Sequence, residues 1–122
     1  MRGVEVSVRM EVRDGRLAGL EKQAAKCIEL TRDRDTKTLR YDWYLSDDGT
    51  RCEIREAYVD SDGVIEHRIE NVRDATNELF SNFADDPVVT VYGDASPTLV
   101  EFGNARMGDS IRWFSLLGGL DS

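Results

Sequence analysis

An α+β fold of four strands with two helices packed against them is what the sequence predicts, on three observations. Val4, Val6, Val8, Met10 and Val12 alternate strictly with Glu5, Ser7, Arg9, Glu11 and Arg13, the pattern of a half-buried strand. Leu17, Leu20, Ala24, Cys27, Ile28 and Thr31 then recur at helical spacing. From Thr38 the period returns to two, and Asp47-Asp48-Gly49-Thr50 supplies turn chemistry between two such runs, which predicts a β-hairpin.

The elements follow in order. The first strand ends at Asp14-Gly15-Arg16, the first helix runs to about Arg32, and a charged connector spans 33–37. In the second strand Leu39, Tyr41, Trp43 and Leu45 share one face, and Arg40, Asp42, Tyr44 and Ser46 the other. The third strand, 51–59, alternates Cys52, Ile54, Glu56 and Tyr58 onto one side. Asp60-Ser61-Asp62 offers capping oxygens and negative charge to a helix beginning near Asp62. Val72, Thr76, Leu79, Phe80 and Phe83 extend its stripe to about Ala84, where Asp85-Asp86-Pro87 ends it, because the residue before proline is pushed out of the α region. A fourth strand, 88–92, completes the order βαββαβ, the ferredoxin-like unit: an antiparallel four-stranded sheet with both helices on one face. The other face must meet solvent, a ligand or another copy. Beyond this core of residues 3–92, an extension over 96–120 begins with Ser96-Pro97 as cap and first helical residue. Leu99, Val100, Phe102 and Ala105 support a short helix, and a fifth strand is expected over 111–117.

Composition narrows the function. A chain of 122 residues makes one domain that needs no disulfide or metal to hold its core. A net charge of -8 argues against a nucleic-acid partner, since phosphate binding needs a basic face. No stretch is long and apolar enough to span a bilayer, and Met-Arg-Gly-Val-Glu shows no apolar leader, so no membrane partner and a cytoplasmic location are expected. Cys27 and Cys52 lack metal-like spacing and read as reduced, partly buried thiols. There is no dinucleotide fingerprint, P-loop or nucleophile elbow, and the single histidine stands without clustered cysteines. Nucleotide-dependent and serine-hydrolase chemistries therefore lose support, and no metal is expected.

The residues that could carry chemistry lie around 56–71. His67, the only histidine, is the group suited to moving a proton near neutral pH. On an α-helical wheel, however, Ile65, Ile69 and Val72 form the apolar stripe and His67 points almost opposite, toward Gly63 and Asn71, the place of a surface histidine unless that side meets a pocket. Glu56 shares its strand face with Cys52, Ile54 and Tyr58, and an isolated buried carboxylate is costly. It is therefore an acid or base in a cavity, an orienting partner of His67 or an arginine, or half of a structural ion pair. Tyr41, Trp43 and Tyr58 line either an aromatic pocket for a phenolic or polycyclic ligand or simply the core. Arg68 and Asn71 are polar contacts beside His67. On the opposite strand face, Arg9 and Glu11 are expected to pair with Glu53 and Arg55, at about 0.2 to 1 kcal/mol each.

Glu56, Tyr58, Asp60, Gly63, Val64 and His67, with the histidine eleven residues after the glutamate, form a pattern that resembles the antibiotic-biosynthesis-monooxygenase (ABM, quinol monooxygenase-like) family. Leu39-Arg40-Tyr41-Asp42-Trp43-Tyr44 before an Asp-Asp-Gly turn resembles the second strand of that family. The resemblance implies a homodimeric α+β barrel closed through the sheet faces. It also implies cofactor-free oxidation of a small aromatic substrate, by deprotonating a phenol or hydroquinone whose anion reduces oxygen directly. In that scheme His67 takes the proton, Glu56 tunes or orients the site, and Tyr41, Trp43 and Tyr58 hold the ring. The second histidine of many members is absent, Glu70-Asn71-Val72 standing in that region. The same fold also suits an isomerase, or a non-catalytic dimeric ligand-binding or stress-response module.

Overall fold

The alternation near the start of the chain becomes β1 (Val4–Val12), which buries Val4, Val6, Val8 and Met10 at the centre of a five-stranded sheet. The computed structural model describes residues 3–121; Ser122, and Met1 and Arg2 of the N-terminal reading above, lie outside the described residues. β1 pairs antiparallel with β3 (Arg51–Tyr58) on one side and β4 (Ala84–Tyr92) on the other. β2 (Thr38–Leu45) forms the hairpin with β3, and β5 (Ile111–Phe114) joins β4 in parallel, giving the order β2-β3-β1-β4-β5. The four antiparallel strands are those expected. The fifth is parallel because α4 (Pro97–Met107) carries the chain back along the sheet before it pairs.

α1 (Leu17–Arg34), α2 (Ser61–Ile65), a π-helix (Glu66–Asn71), α3 (Arg73–Asn82) and α4 complete the architecture. Leu20, Val64, Leu79 and Leu99 from these helices join the inward-facing strand residues in one core. No helix among the described residues is long and apolar enough to cross a membrane. Both cysteines are buried and free.

Three expectations change. β4 begins at Ala84, so Asp85-Asp86-Pro87 lies inside the strand and does not separate it from a helix. The register against β1 slips between Arg9 and Glu11, and Asp86 takes φ 54°, so a bulge absorbs the proline. A second irregularity, between Thr38 and Arg40, takes Leu39 off the face of Tyr41 and Trp43, leaving it 68% exposed. The fifth strand stops at Phe114, and 115–120 are exposed.

The face away from the helices is polar, as the charge alternation implies. Arg9 sits opposite Glu53 with its guanidinium 3.7 Å from the carboxylate, and the Ser7 hydroxyl donates to Glu53 at 3.2 Å, but Glu11 pairs with Arg51 at 3.3 Å and not with the expected Arg55, which the register sets opposite Ser7.

Candidate functional site

The period of two in β3 turns Glu56 toward the helices, between Val6 of β1 and Tyr41 of β2. Only 2% of the residue is exposed, so its charge requires partners, and it has two. The Tyr58 hydroxyl donates to Oε1 at 2.5 Å, and Arg68 Nη2 donates to Oε2 at 3.1 Å. Burial works against the Arg68 charge, but Glu56 and then the neighbouring tyrosines outweigh it and hold the guanidinium above its ordinary value. Burial, reinforced by the Glu56 charge, pushes the phenols of Tyr58 and Tyr41 well above theirs. Both tyrosines are therefore O–H donors at neutral pH.

The next part of the site depends on a change of helical period. Asp60 caps α2 by accepting from the Gly63 amide at 3.0 Å. Beyond Ile65 the helix widens into the π form, with the Val72 amide bonded to the His67 carbonyl at 3.0 Å. The wider turn overturns the wheel: His67 points inward and is 0% exposed. The Tyr41 ring meets it edge-on at 4.7 Å between centroids, and the Tyr58 ring lies at 5.7 Å.

Asp35, at the C-terminal end of α1, holds this turn in place. Its carboxylate lies 2.8 Å from His67 Nδ1 and accepts from the Asn71 amide at 2.7 Å and the Thr38 hydroxyl at 2.5 Å. Burial pushes the Asp35 carboxyl up, but the bonds from His67, Thr38 and Asn71 together outweigh it and hold it below the usual range. An ionised Asp35 places the proton of a neutral imidazole on Nδ1 and leaves the Nε2 lone pair free. Nε2 is buried without a hydrogen-bond partner among the described residues, as is Trp43 Nε1. Glu66 adds two bonds to the same connector, from the Thr36 amide at 2.7 Å and the Thr36 hydroxyl at 2.8 Å. The charged connector is thus stitched to the π-helix. Asp35 was missed because it stands in the run Arg32-Asp33-Arg34-Asp35, which reads as a solvated helix end.

A cavity of about 500 Å³ opens on the same side of the sheet, between β1, β4 and β5 below and the π-helix, α3 and α4 above. Ile69, Phe80, Phe102 and Met107 give it apolar walls, and Arg68 lines it as well. Of the seven residues singled out from the sequence, only Arg68 lines this cavity. Its guanidinium joins the cavity to Glu56 and Tyr58, while Tyr41 meets His67, Asn71 bonds Asp35 and Trp43 packs edge-on against Tyr41. Phe102 and Met107 come from the extension, whose helical stripe was legible but whose docking site was not. Among the described residues no three His, Cys, Asp or Glu side chains come together as a metal site. Chemically, the arrangement offers a cation at an apolar cavity, a paired carboxylate behind it and an aspartate-held imidazole.

No family model matches the chain, and no match is found among curated proteins. Solved structures do match. MupZ from Pseudomonas fluorescens superposes with a TM-score of 0.79 at 19% identity, covering 98% of this chain and 94% of that one. Rv0793 from Mycobacterium tuberculosis gives 0.64 at 25% identity, covering 72% and 90%. A structure described as an antibiotic biosynthesis monooxygenase gives 0.66 at 17% identity, covering 77% and 99%. The chain therefore has the α+β fold of antibiotic biosynthesis monooxygenase structures over most of its length, and its match to MupZ takes in nearly all of it.

Proposed function

We propose that this protein is a cofactor-independent monooxygenase that oxidises a small phenolic or quinol substrate with O2. The observation that carries the reading is Arg68, a cation with its side chain 20% exposed that lines an apolar cavity of ligand size and is held there by the buried Glu56. An apolar cavity accepts the ring, and a fixed guanidinium stabilises the oxyanion that forms when its hydroxyl is deprotonated. Glu56, joined to the cavity through Arg68, is the first candidate proton acceptor, and His67, held by Asp35 at Nδ1 but buried behind the cavity lining, is the second. The electron-rich anion then reduces O2: one oxygen atom enters the substrate carbon skeleton, the other leaves as water, and all four electrons come from the substrate. Tyr41 and Tyr58 pack against the imidazole and Trp43 against Tyr41, so in this reading they fix His67 while Ile69, Phe80 and Phe102 hold the ring. Asn71 acts through Asp35. The reading includes a cytoplasmic homodimer joined through the open sheet face, where Tyr92 and Phe114 stack at 5.8 Å and Leu39 and Leu116 stand exposed.

The Asp35–His67 pair also favours a second reading, an isomerase that moves protons without oxygen. One experiment separates the two: turnover of a panel of hydroquinones and anthrones, aerobic against anaerobic, by the wild type, His67→Ala and Glu56→Gln. The monooxygenase reading expects oxygen uptake that falls about 100-fold or more in at least one folded variant, the scale of a lost general base. Substrate consumed equally without oxygen favours the isomerase, and bound substrate that is never turned over favours a binding module.

A further inference from the structure

The cavity lining carries a charge opposite to that of the protein. The chain has 24 acidic and 16 basic residues, yet the cavity is lined by Arg68, Arg73 and Arg106 and by no aspartate or glutamate. Arg68 is committed to Glu56, but the other two are not committed to buried acids. Among the described residues the one acid within ion-pair distance of Arg73 is Asp74, at 3.9 Å, whose side chain is 98% exposed. Arg106 lies over the Phe102 ring at 4.4 Å and forms no ion pair among the described residues. Both arginines are exposed at the rim, one from the start of α3 and the other from the end of α4, while Ile69, Phe80 and Met107 line the apolar interior.

We propose that Arg73 and Arg106 form an anion subsite at the cavity mouth, so that the ligand is an aromatic molecule carrying a carboxylate. The inference rests on the cavity being the substrate site and names the class of molecule it takes. With the ring inside and the carboxylate between two guanidinium groups, the ligand bridges α3 to the C-terminal extension. Arg106 is preorganised for this by its stacking on Phe102.

The test uses anthracene carboxylate and the matching uncharged carboxamide, titrated by fluorescence into the full chain. The wild type is expected to bind the carboxylate about tenfold more tightly, the scale of two exposed ion pairs. That preference should shrink as ionic strength rises from about 0.01 M to about 1 M, over which the screening length falls from about 30 Å to about 3 Å. The Arg73→Gln/Arg106→Gln pair is expected to lose the preference while keeping its amide affinity, and Arg112→Gln, on the open face of β5, to keep both. Because both rim arginines are exposed, thermal melts of the variants should match the wild type. Equal affinity for the two ligands in the wild type, or a preference that survives in the double variant, overturns the anion subsite alone. Binding of neither ligand overturns the subsite together with the cavity as substrate site. Carboxylate preference without oxygen uptake leaves the subsite standing and removes the monooxygenase reading.

Discussion

Replacing Asp35 with asparagine tests the part of the site that binds the π-helix to the rest of the molecule. The side chains of Asp35 and His67 are 2% and 1% exposed, so water cannot substitute for lost partners. The carboxylate receives three donors: the His67 imidazole, the Asn71 amide and the Thr38 hydroxyl. Asparagine keeps the shape but has one acceptor oxygen, and its amide group faces at least one of those donors. Bonds to a charged acceptor contribute about 1.5 to 3 kcal/mol and neutral ones about 0.5 to 1.5, and a mispaired buried donor costs about 1 to 3. Against this, asparagine avoids burying a charge, which offsets part of the loss. The expected net loss is about 2 to 3 kcal/mol, or a Tm lower by roughly 10 °C at about 4 °C per kcal/mol for a domain of this size. Urea unfolding at neutral pH with an unchanged m-value measures it. The sign of the pH dependence follows from the depressed Asp35 carboxyl. Its stabilisation is complete above the unfolded value, about 3.9, and is lost as pH falls through the lower folded value. The gap between wild type and variant should therefore be full at neutral pH and close in acid. A gap below about 0.5 kcal/mol at neutral pH, the size of an ordinary surface substitution, would refute the reasoning.

Other consequences follow from the same geometry. Arg68→Gln leaves Glu56 buried without its cation and is expected to destabilise by about 3 kcal/mol in urea unfolding, whereas Arg68→Met with Glu56→Leu should come closer to the wild type. Gly103→Ala brings a Cβ to within 2.8 Å of the Ile111 side chain and the Trp113 ring, so it should cost about 1 to 3 kcal/mol and speed hydrogen exchange in α4 and β5 first. Burial pushes the thiols of Cys27 and Cys52 from 9.0 to about 11. The stability they contribute is present below their unfolded value and lost as pH rises toward 11. Unfolding midpoints should therefore fall across that window and fall less in the Cys27→Ser/Cys52→Ser variant, when each protein is compared with its own midpoint at pH 7.

The legible parts of this molecule are those written as a period. β1, α1 and the β2–β3 hairpin follow from alternation and helical spacing, and the caps at Asp60 and Ser96 from single side chains beside apolar runs. Glu56 announced its need for a partner, because a charge among Cys52, Ile54 and Tyr58 has to be paired. That Arg68 meets it depends on how the intervening helix is wound. That winding was illegible: a π-turn has no repeat of its own in six residues, and a wheel drawn at the α-helical period turned His67 outward when it is as fully buried as Tyr58. Asp35 was hidden for a related reason, since an acid in an alternating charged run has no signal until a second element packs on it. The proline of β4 misled in the other direction, because a bulge accepts what a regular ladder rejects.

The central claim is that this chain inserts oxygen using only its own side chains. Mass analysis of the product formed from a hydroquinone or anthrone under isotopically labelled oxygen, with chelator-treated and flavin-free protein, tests it most directly. The account predicts one labelled oxygen atom in each product molecule and label lost to water in equal amount. Product without label, or label that enters only when metal or flavin is restored, would contradict it.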